Sequence, residues 1–161
     1  MEQAASEQTE QTLNSTEMFM VGVIDAALAA QNAAIAAESM GLGVCYIGGI
    51  RNKLEEVSEL LETPERVIPL FGMSVGIPKN HSDKKPRLPL EHIYHEEQYQ
   101  QDNQLYVEQL EQYNAVISGY YSNRTNGERQ DRWTEAMSAL LNNPNRLYMK
   151  RFLQNKQLPL L

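Results

Sequence analysis

No lysine, arginine or histidine stands before Arg51, and Cys45 is the only cysteine. Without a cationic n-region, the opening MEQAASEQTEQTLNSTE does not read as a secretory signal. A lone cysteine forms no intramolecular disulfide, and Cys45 lies in an apolar run, so it is expected as a buried, inert thiol in a reducing compartment. A cytoplasmic location follows. Long uninterrupted apolar runs are also missing: residues 18–37 come nearest, but Asp25, Gln31 and Asn32 break them. An unpaired acid at mid-bilayer costs about 2.5 kcal/mol or more, so this stretch reads as a buried helix of a soluble protein and no membrane is expected. The net charge is -7, from 14 Lys and Arg against 21 Asp and Glu. Glu2, Glu7, Glu10, Glu17, Asp25 and Glu38 all precede Arg51, which leaves the remainder nearly balanced. No basic face is implied, and nucleic acid is not an expected partner.

A chain of 161 residues that is 42% hydrophobic can bury a substantial core. Residues 1–13, rich in Gln, Glu, Ser and Thr, read as an irregular lead-in. Asn14, Ser15 and Thr16 then offer N-cap oxygens, Glu17 suits the positive first turn, and helix formers run to Met40 before Gly41 and Gly43. The Ala-rich second half of this long helix is apolar around most of its girth, so other elements should enclose it. Residues 44–47 read as a buried strand cut off by Gly48 and Gly49, which can take positive φ. A helix is predicted over about 52–62, ended by Thr63-Pro64, and a second strand over 67–76. Residues 79–101 show no period and carry Pro86 and Pro89, which fits an extended, ordered loop. Apolar spacing from Leu105 to Tyr121 marks an amphipathic helix, and residues 123–127 a turn. A further helix holds Trp133, Met137, Leu140 and Leu141, and Pro144 is expected to open a last one reaching about Gln154. No internal repeat is visible.

Three clusters carry candidate chemistry. In GLGVCYIGGIRN a strand ends on two glycines whose amides can approach a flat or anionic ligand, although an ordinary Gly-rich strand-to-helix turn would look the same. KKPRLP sets Lys85 and Arg87 about a proline, which suits either a phosphate or a solvated basic loop. Arg124, Arg129 and Arg132 surround a turn where they can clamp a nucleotide phosphate or pair with Glu128 and Asp131 in a surface lattice. His92, His95 and Glu96 lack a second Cys or His cluster, so no metal site is expected. Tyr120 and Tyr121 read as core. Neither G-x-G-x-x-G nor G-x-S-x-G occurs, and Cys45 has no basic neighbour to make it a thiolate.

In order along the chain, LAAQNAAIAAESMGLGVCYIGGIRN, VIPLFGMSVGIP, KKPRLPLEHIYHEEQY and YYSNRTNGERQDRW resemble the flavin-dependent nitroreductase superfamily, of the NADPH-dependent FMN reductase and oxygen-insensitive nitroreductase A type. The resemblance runs from about Thr16 onward. It implies an α+β fold, a mostly antiparallel central sheet wrapped by helices, and an intertwined homodimer with FMN at the interface. On this resemblance residues 16–161 form one nitroreductase-like domain, the C-terminal two thirds of the family fold, after a lead-in over 1–15. The family's N-terminal region, with its His-Arg-Ser-x-Arg type segment on the FMN phosphate, has no match before Thr16 and is expected to be missing. The resemblance further places Tyr46, Ile47, Gly48 and Gly49 along the flavin, Lys85 and Arg87 on its ring and phosphate, and Arg124 and Arg129 on the NADPH 2′-phosphate. It implies no catalytic side chain. Hydride would pass from NADPH to flavin N5 and then, in ping-pong fashion, to a nitroaromatic, a quinone or free flavin. Two other readings stay open: an inactive fragment that binds no flavin, and a non-enzymatic module that uses its Ala-rich helix for assembly.

Overall fold

The computed structural model describes residues 7–80 and 83–158. In chain order the elements are α1 (Glu7–Leu13), α2 (Thr16–Ser39), β1 (Gly43–Ile47), a 3-10 turn (Gly48–Asn52), α3 (Leu54–Leu60), β2 (Gly72–Gly76), α4 (Leu90–Ile93), α5 (Asn103–Arg124), α6 (Trp133–Asn142) and α7 (Met149–Asn155). They fall into two compact units. One is the chain up to Asn80 together with the stretch from Arg146 onward; the other is the segment between them.

In the first unit α2 begins and ends as its sequence dictates. Ser15 caps it by accepting from the Met18 N–H at 3.2 Å, and Glu17 sits in the first turn. At its other end Gly41, with φ of 80°, donates to Glu38, and Leu42 donates back to Ala37 at 3.1 Å. This is a Schellman closure, for which a left-handed glycine is the usual residue. The expected irregular lead-in is corrected: Glu7–Leu13 forms a helix, continued by an Asn14 N–H that donates to Glu10. Its Glu, Gln and Leu content favours helix, but with no apolar face it shows no period to read.

β1 and β2 pair antiparallel, with Gly43 opposite Gly76 and Ile47 opposite Gly72. β2 is shorter than predicted, because residues 67–71 do not pair with β1. Two expectations of burial are overturned. Cys45 is exposed, as are Tyr46 and Ile47, since among the described residues β2 is the one strand paired with β1. Only Ala34 and Ala37 of α2 are buried, whereas Ile24 is 51% and Leu28 59% exposed. Among the described residues only one stripe of α2 meets neighbours, and an apolar face is left open. By length and composition alone α2 is long and apolar enough to cross a membrane, but Asp25 lies within it.

The end of the chain completes this unit. Leu54 is fully buried at the start of α3, where its N–H donates to the Tyr148 hydroxyl at 2.9 Å; that hydroxyl in turn donates to the Arg51 carbonyl at 2.6 Å. Arg146 holds the Asn52 carboxamide oxygen through two N–H groups, and Lys156 donates to the Thr63 and Pro64 carbonyls. Pro144 does not open the last helix. Arg146 is left-handed at φ of 61°, which breaks the helical path, and α7 starts at Met149.

In the second unit α5 starts at Asp102, whose carboxylate accepts from the Gln104 and Leu105 N–H groups. Its core face is Tyr113, Asn114 and Ile117. α6 has no side-chain cap of its own. Asn114, only 2% exposed, accepts from the Thr134 N–H at 3.0 Å and donates to the Thr134 hydroxyl at 2.9 Å, so one helix caps the other. Trp133 packs edge-on against Tyr113. The loop expected over 79–101 forms no strand among its described residues and carries the single turn of α4; residues 81 and 82 lie outside the described residues.

Asn114→Ala strands the part-buried Thr134 N–H and removes that cap. We expect it to lower the unfolding free energy by about 2–3 kcal/mol, measured by urea titration of the far-ultraviolet circular dichroism. A loss below about 0.5 kcal/mol would mean that water satisfies Thr134 equally well.

Candidate functional site

The end of β1 is a strand terminus stripped of cover. Tyr46 is 43% exposed and Ile47 similarly open. The Tyr46 ring meets Phe71 edge-on at 5.3 Å, and its hydroxyl donates to Gln31 of α2 at 3.4 Å. Gly48 and Gly49 follow in the 3-10 turn, and neither adopts the positive φ expected of them. Their lack of a side chain matters for access instead. A Cβ at Gly49 would meet nothing within 4 Å, so its backbone faces open space. One at Gly48 would meet the Arg51 guanidinium at 3.2 Å, which is held there by a 2.6 Å hydrogen bond to the Leu70 carbonyl. A backbone open in this way can admit a planar ligand against its amides. The Tyr148 hydroxyl fixes the turn where it passes into α3.

In the second unit a tyrosine ladder orders the long loop. Tyr106, Tyr113 and Tyr120 stand seven residues apart on α5, which places them along one helix face. Their hydroxyls donate to the carbonyls of Gln100, of Pro86 at 3.0 Å and of Asp83 at 3.5 Å. Lys85 and Arg87 flank the pinned Pro86, and both are exposed. Burial, then the hydrogen bond to Tyr99, raises the Tyr106 phenol above its ordinary range.

The structure gathers three of the predicted cations at the end of α5. The Lys85 ammonium lies 5.4 Å over the Tyr121 ring, and the Arg129 guanidinium 4.5 Å over the same ring. Arg124 lies over the Tyr120 ring and donates to its hydroxyl at 3.1 Å. Tyr120 and Tyr121 are therefore half-buried cation platforms, which corrects their reading as core. The adjacent tyrosines in GYYSNR, one helical turn before Arg124, are the sequence signal for this. Arg129 also pairs with Asp131, whose hydrogen bond and charge hold the guanidinium above its usual range. Arg132 pairs with Glu111 and Glu135 and does not join the cluster. Tyr46, Ile47, Gly48 and Gly49 belong to the first unit, and the predicted cations to the second. His92 bonds Gln109 at 2.8 Å and His95 packs on Tyr99. Among the described residues no three His, Cys, Asp or Glu side chains converge as metal ligands.

The profile of the Nitroreductase family matches residues 4–77, and that of the Nitroreductase family, C-terminal domain, matches residues 85–161. The match thus begins before Thr16 and takes in α1, a correction to the narrower resemblance. An FMN reductase (NADPH) of Bacillus subtilis is 49% identical over 150 residues, covering 93% of this chain and 60% of that protein. The structure of B. megaterium NfrA1 superimposes with a TM-score of 0.88 at 59% identity, over 90% of this chain and 59% of that one. The NADPH:FMN oxidoreductase from Vibrio harveyi, solved in complex with NAD+, gives a TM-score of 0.80 at 35% identity, over 97% of this chain and 65% of that one. The chain spans about three fifths of the length of the curated relatives it matches.

If the ladder orders the loop, Tyr113→Phe should loosen it while keeping the ring in place. Tryptic cleavage after Lys84 and Arg87 is expected to quicken about two- to tenfold, the equivalent of one lost hydrogen bond. An unchanged cleavage rate would show that the hydroxyl does not restrain the segment.

Proposed function

This chain belongs to the nitroreductase family, and from that premise we propose that it serves as an FMN-dependent NADPH oxidoreductase. The observation that carries the proposal is the uncovered backbone at the end of β1, where Gly49 leaves room for a flat ring. Relatives named FMN reductase (NADPH) and NADPH:FMN oxidoreductase support the choice of cofactor and reductant. FMN, when bound, supplies the acceptance and release of hydride, so no side chain of this protein need do so. Tyr46, Ile47, Gly48 and Gly49 lie along the ring in this reading, and the two glycines offer their backbone there without side-chain bulk. Lys85 and Arg87 offer positive charge to the phosphate and to the electron-rich edge of the ring, and the ladder on α5 keeps their segment from wandering. Arg124 and Arg129 take the NADPH 2′-phosphate, for which a guanidinium fork on an aromatic platform is well suited. An open strand end of this kind favours flat acceptors such as nitroaromatics, quinones or free flavin over any one shape.

The same reading makes the protein a cytoplasmic homodimer. The apolar face of α2, with Met20, Ile24, Leu28 and Ile35 exposed, gives a second copy a surface to cover. Asp25 on that helix speaks for a protein partner rather than lipid.

Two measurements test the proposal. After incubation with FMN and desalting, the purified chain is expected to elute as a dimer and to retain a flavin absorbance band that bleaches on adding NADPH. Loss of all flavin on desalting would overturn the cofactor assignment and favour a non-catalytic dimerising module. Replacing both Arg124 and Arg129 with Ala should lower kcat/KM for NADPH relative to NADH on the order of tenfold or more. An unchanged ratio would remove these residues from the nucleotide site.

A further inference from the structure

Three cations meet at the end of α5, but they are not equally free. Lys85 and Arg124 have no carboxylate partner among the described residues; their neighbours are the rings of Tyr121 and Tyr120 and the Tyr120 hydroxyl. Arg129 alone of the three is already engaged by an acid, Asp131, two residues along the chain. Its backbone is held as well: the Arg129 N–H donates to the Thr125 hydroxyl at 2.9 Å, and that hydroxyl donates to the Tyr121 carbonyl at 2.7 Å. Its guanidinium carbon is 4.5 Å from the Tyr121 ring centroid. Arg129 is thus fixed by its backbone and its ring stack, while one edge of its fork is occupied by a carboxylate of the same chain.

A carboxylate and a phosphate monoester use the same donors of a guanidinium fork, so they compete for it. We propose that Asp131 is a specificity-determining residue that occupies Arg129 until a phosphate monoester displaces it, lowering the affinity for a 2′-phosphorylated nucleotide while leaving one without that phosphate unaffected. The inference rests on the assignment of Arg129 to the nucleotide phosphate. Both side chains are about half exposed, at 54% and 42%, so the pair is a weak one and can yield to a dianion. Tyr121 has a separate part: its ring keeps the guanidinium in position when the carboxylate leaves.

The test is isothermal titration calorimetry of the full chain, without cofactor, using 2′,5′-ADP as the phosphorylated probe and 5′-AMP as the probe that lacks only the 2′-phosphate. Asp131→Asn keeps the shape of the side chain and removes its charge. It is expected to tighten 2′,5′-ADP binding by about two- to tenfold at low salt, with the gain shrinking as salt is raised, and to leave 5′-AMP binding within about twofold. In an Arg129→Ala background the same substitution should have little effect on either probe, because the contested fork is gone. If Asp131→Asn leaves 2′,5′-ADP unchanged or weaker while Arg129→Ala weakens it, Asp131 does not compete and the proposal is overturned although the nucleotide site stands. Equal tightening of both probes also overturns it, since the effect is then one of net charge. If Arg129→Ala does not alter 2′,5′-ADP binding, the nucleotide assignment itself fails.

Discussion

A phenol hydroxyl donated to a backbone carbonyl is the interaction on which the irregular parts of this protein depend. Extended segments leave carbonyls that neither helix nor sheet can satisfy, and a tyrosine reaches them from a rigid ring with few rotamers to lose. Tyr106, Tyr113 and Tyr120 do this for the loop carrying Lys85 and Arg87. Tyr148 does it for the junction beneath Gly48 and Gly49, where one hydroxyl both receives the Leu54 N–H and donates to Arg51. Each candidate binding segment is thus held by side chains that have no place in the chemistry.

Rings also govern the charges. Lys85, Arg124 and Arg129 rest on two consecutive tyrosines, so three cations gather without a buried counterion. Burying such charges against acids would stabilise the free protein at the expense of anion affinity, whereas an aromatic face positions a cation and leaves its donors available. Arg132 shows the other outcome: paired with Glu111 and Glu135, it is an ordinary surface ion pair.

What was legible in the sequence was whatever local chemistry decides. Ser15 and Gly41 mark the ends of α2, Gly43 and Gly48 bracket β1, and Thr63-Pro64 follows α3. The quoted glycine, Lys-Pro-Arg and arginine motifs pointed to the family because they keep their order along the chain. Burial is not legible wherever it depends on elements other than the immediate neighbours. Cys45 and the open face of α2 are apolar in composition, yet composition does not say what covers them. Tyr120 and Tyr121 read as core because an aromatic at helical spacing usually is; Arg124 beside Tyr120 is the local signal against it, whereas Tyr121 is revealed by the distant Lys85 and by Arg129 beyond the turn. The late start of α7 was hidden because the left-handed Arg146 is held by Asn52, 94 residues away.

That long-range closure bears on how the chain is made. In the first unit the Leu54 junction and the Thr63-Pro64 carbonyls wait for Tyr148 and Lys156. Tyr148 lies 94 residues beyond Leu54 and Lys156 lies 93 beyond Thr63, so on a ribosome the junction emerges well before its partners exist. Contacts that close so large a span slow folding, and meanwhile the apolar face of α2 is exposed to other nascent chains. Loss of the stretch from Tyr148 to Lys156 would therefore injure distant α3 more than α6, its near neighbour in sequence, so damage in this protein need not fall where the chain is cut.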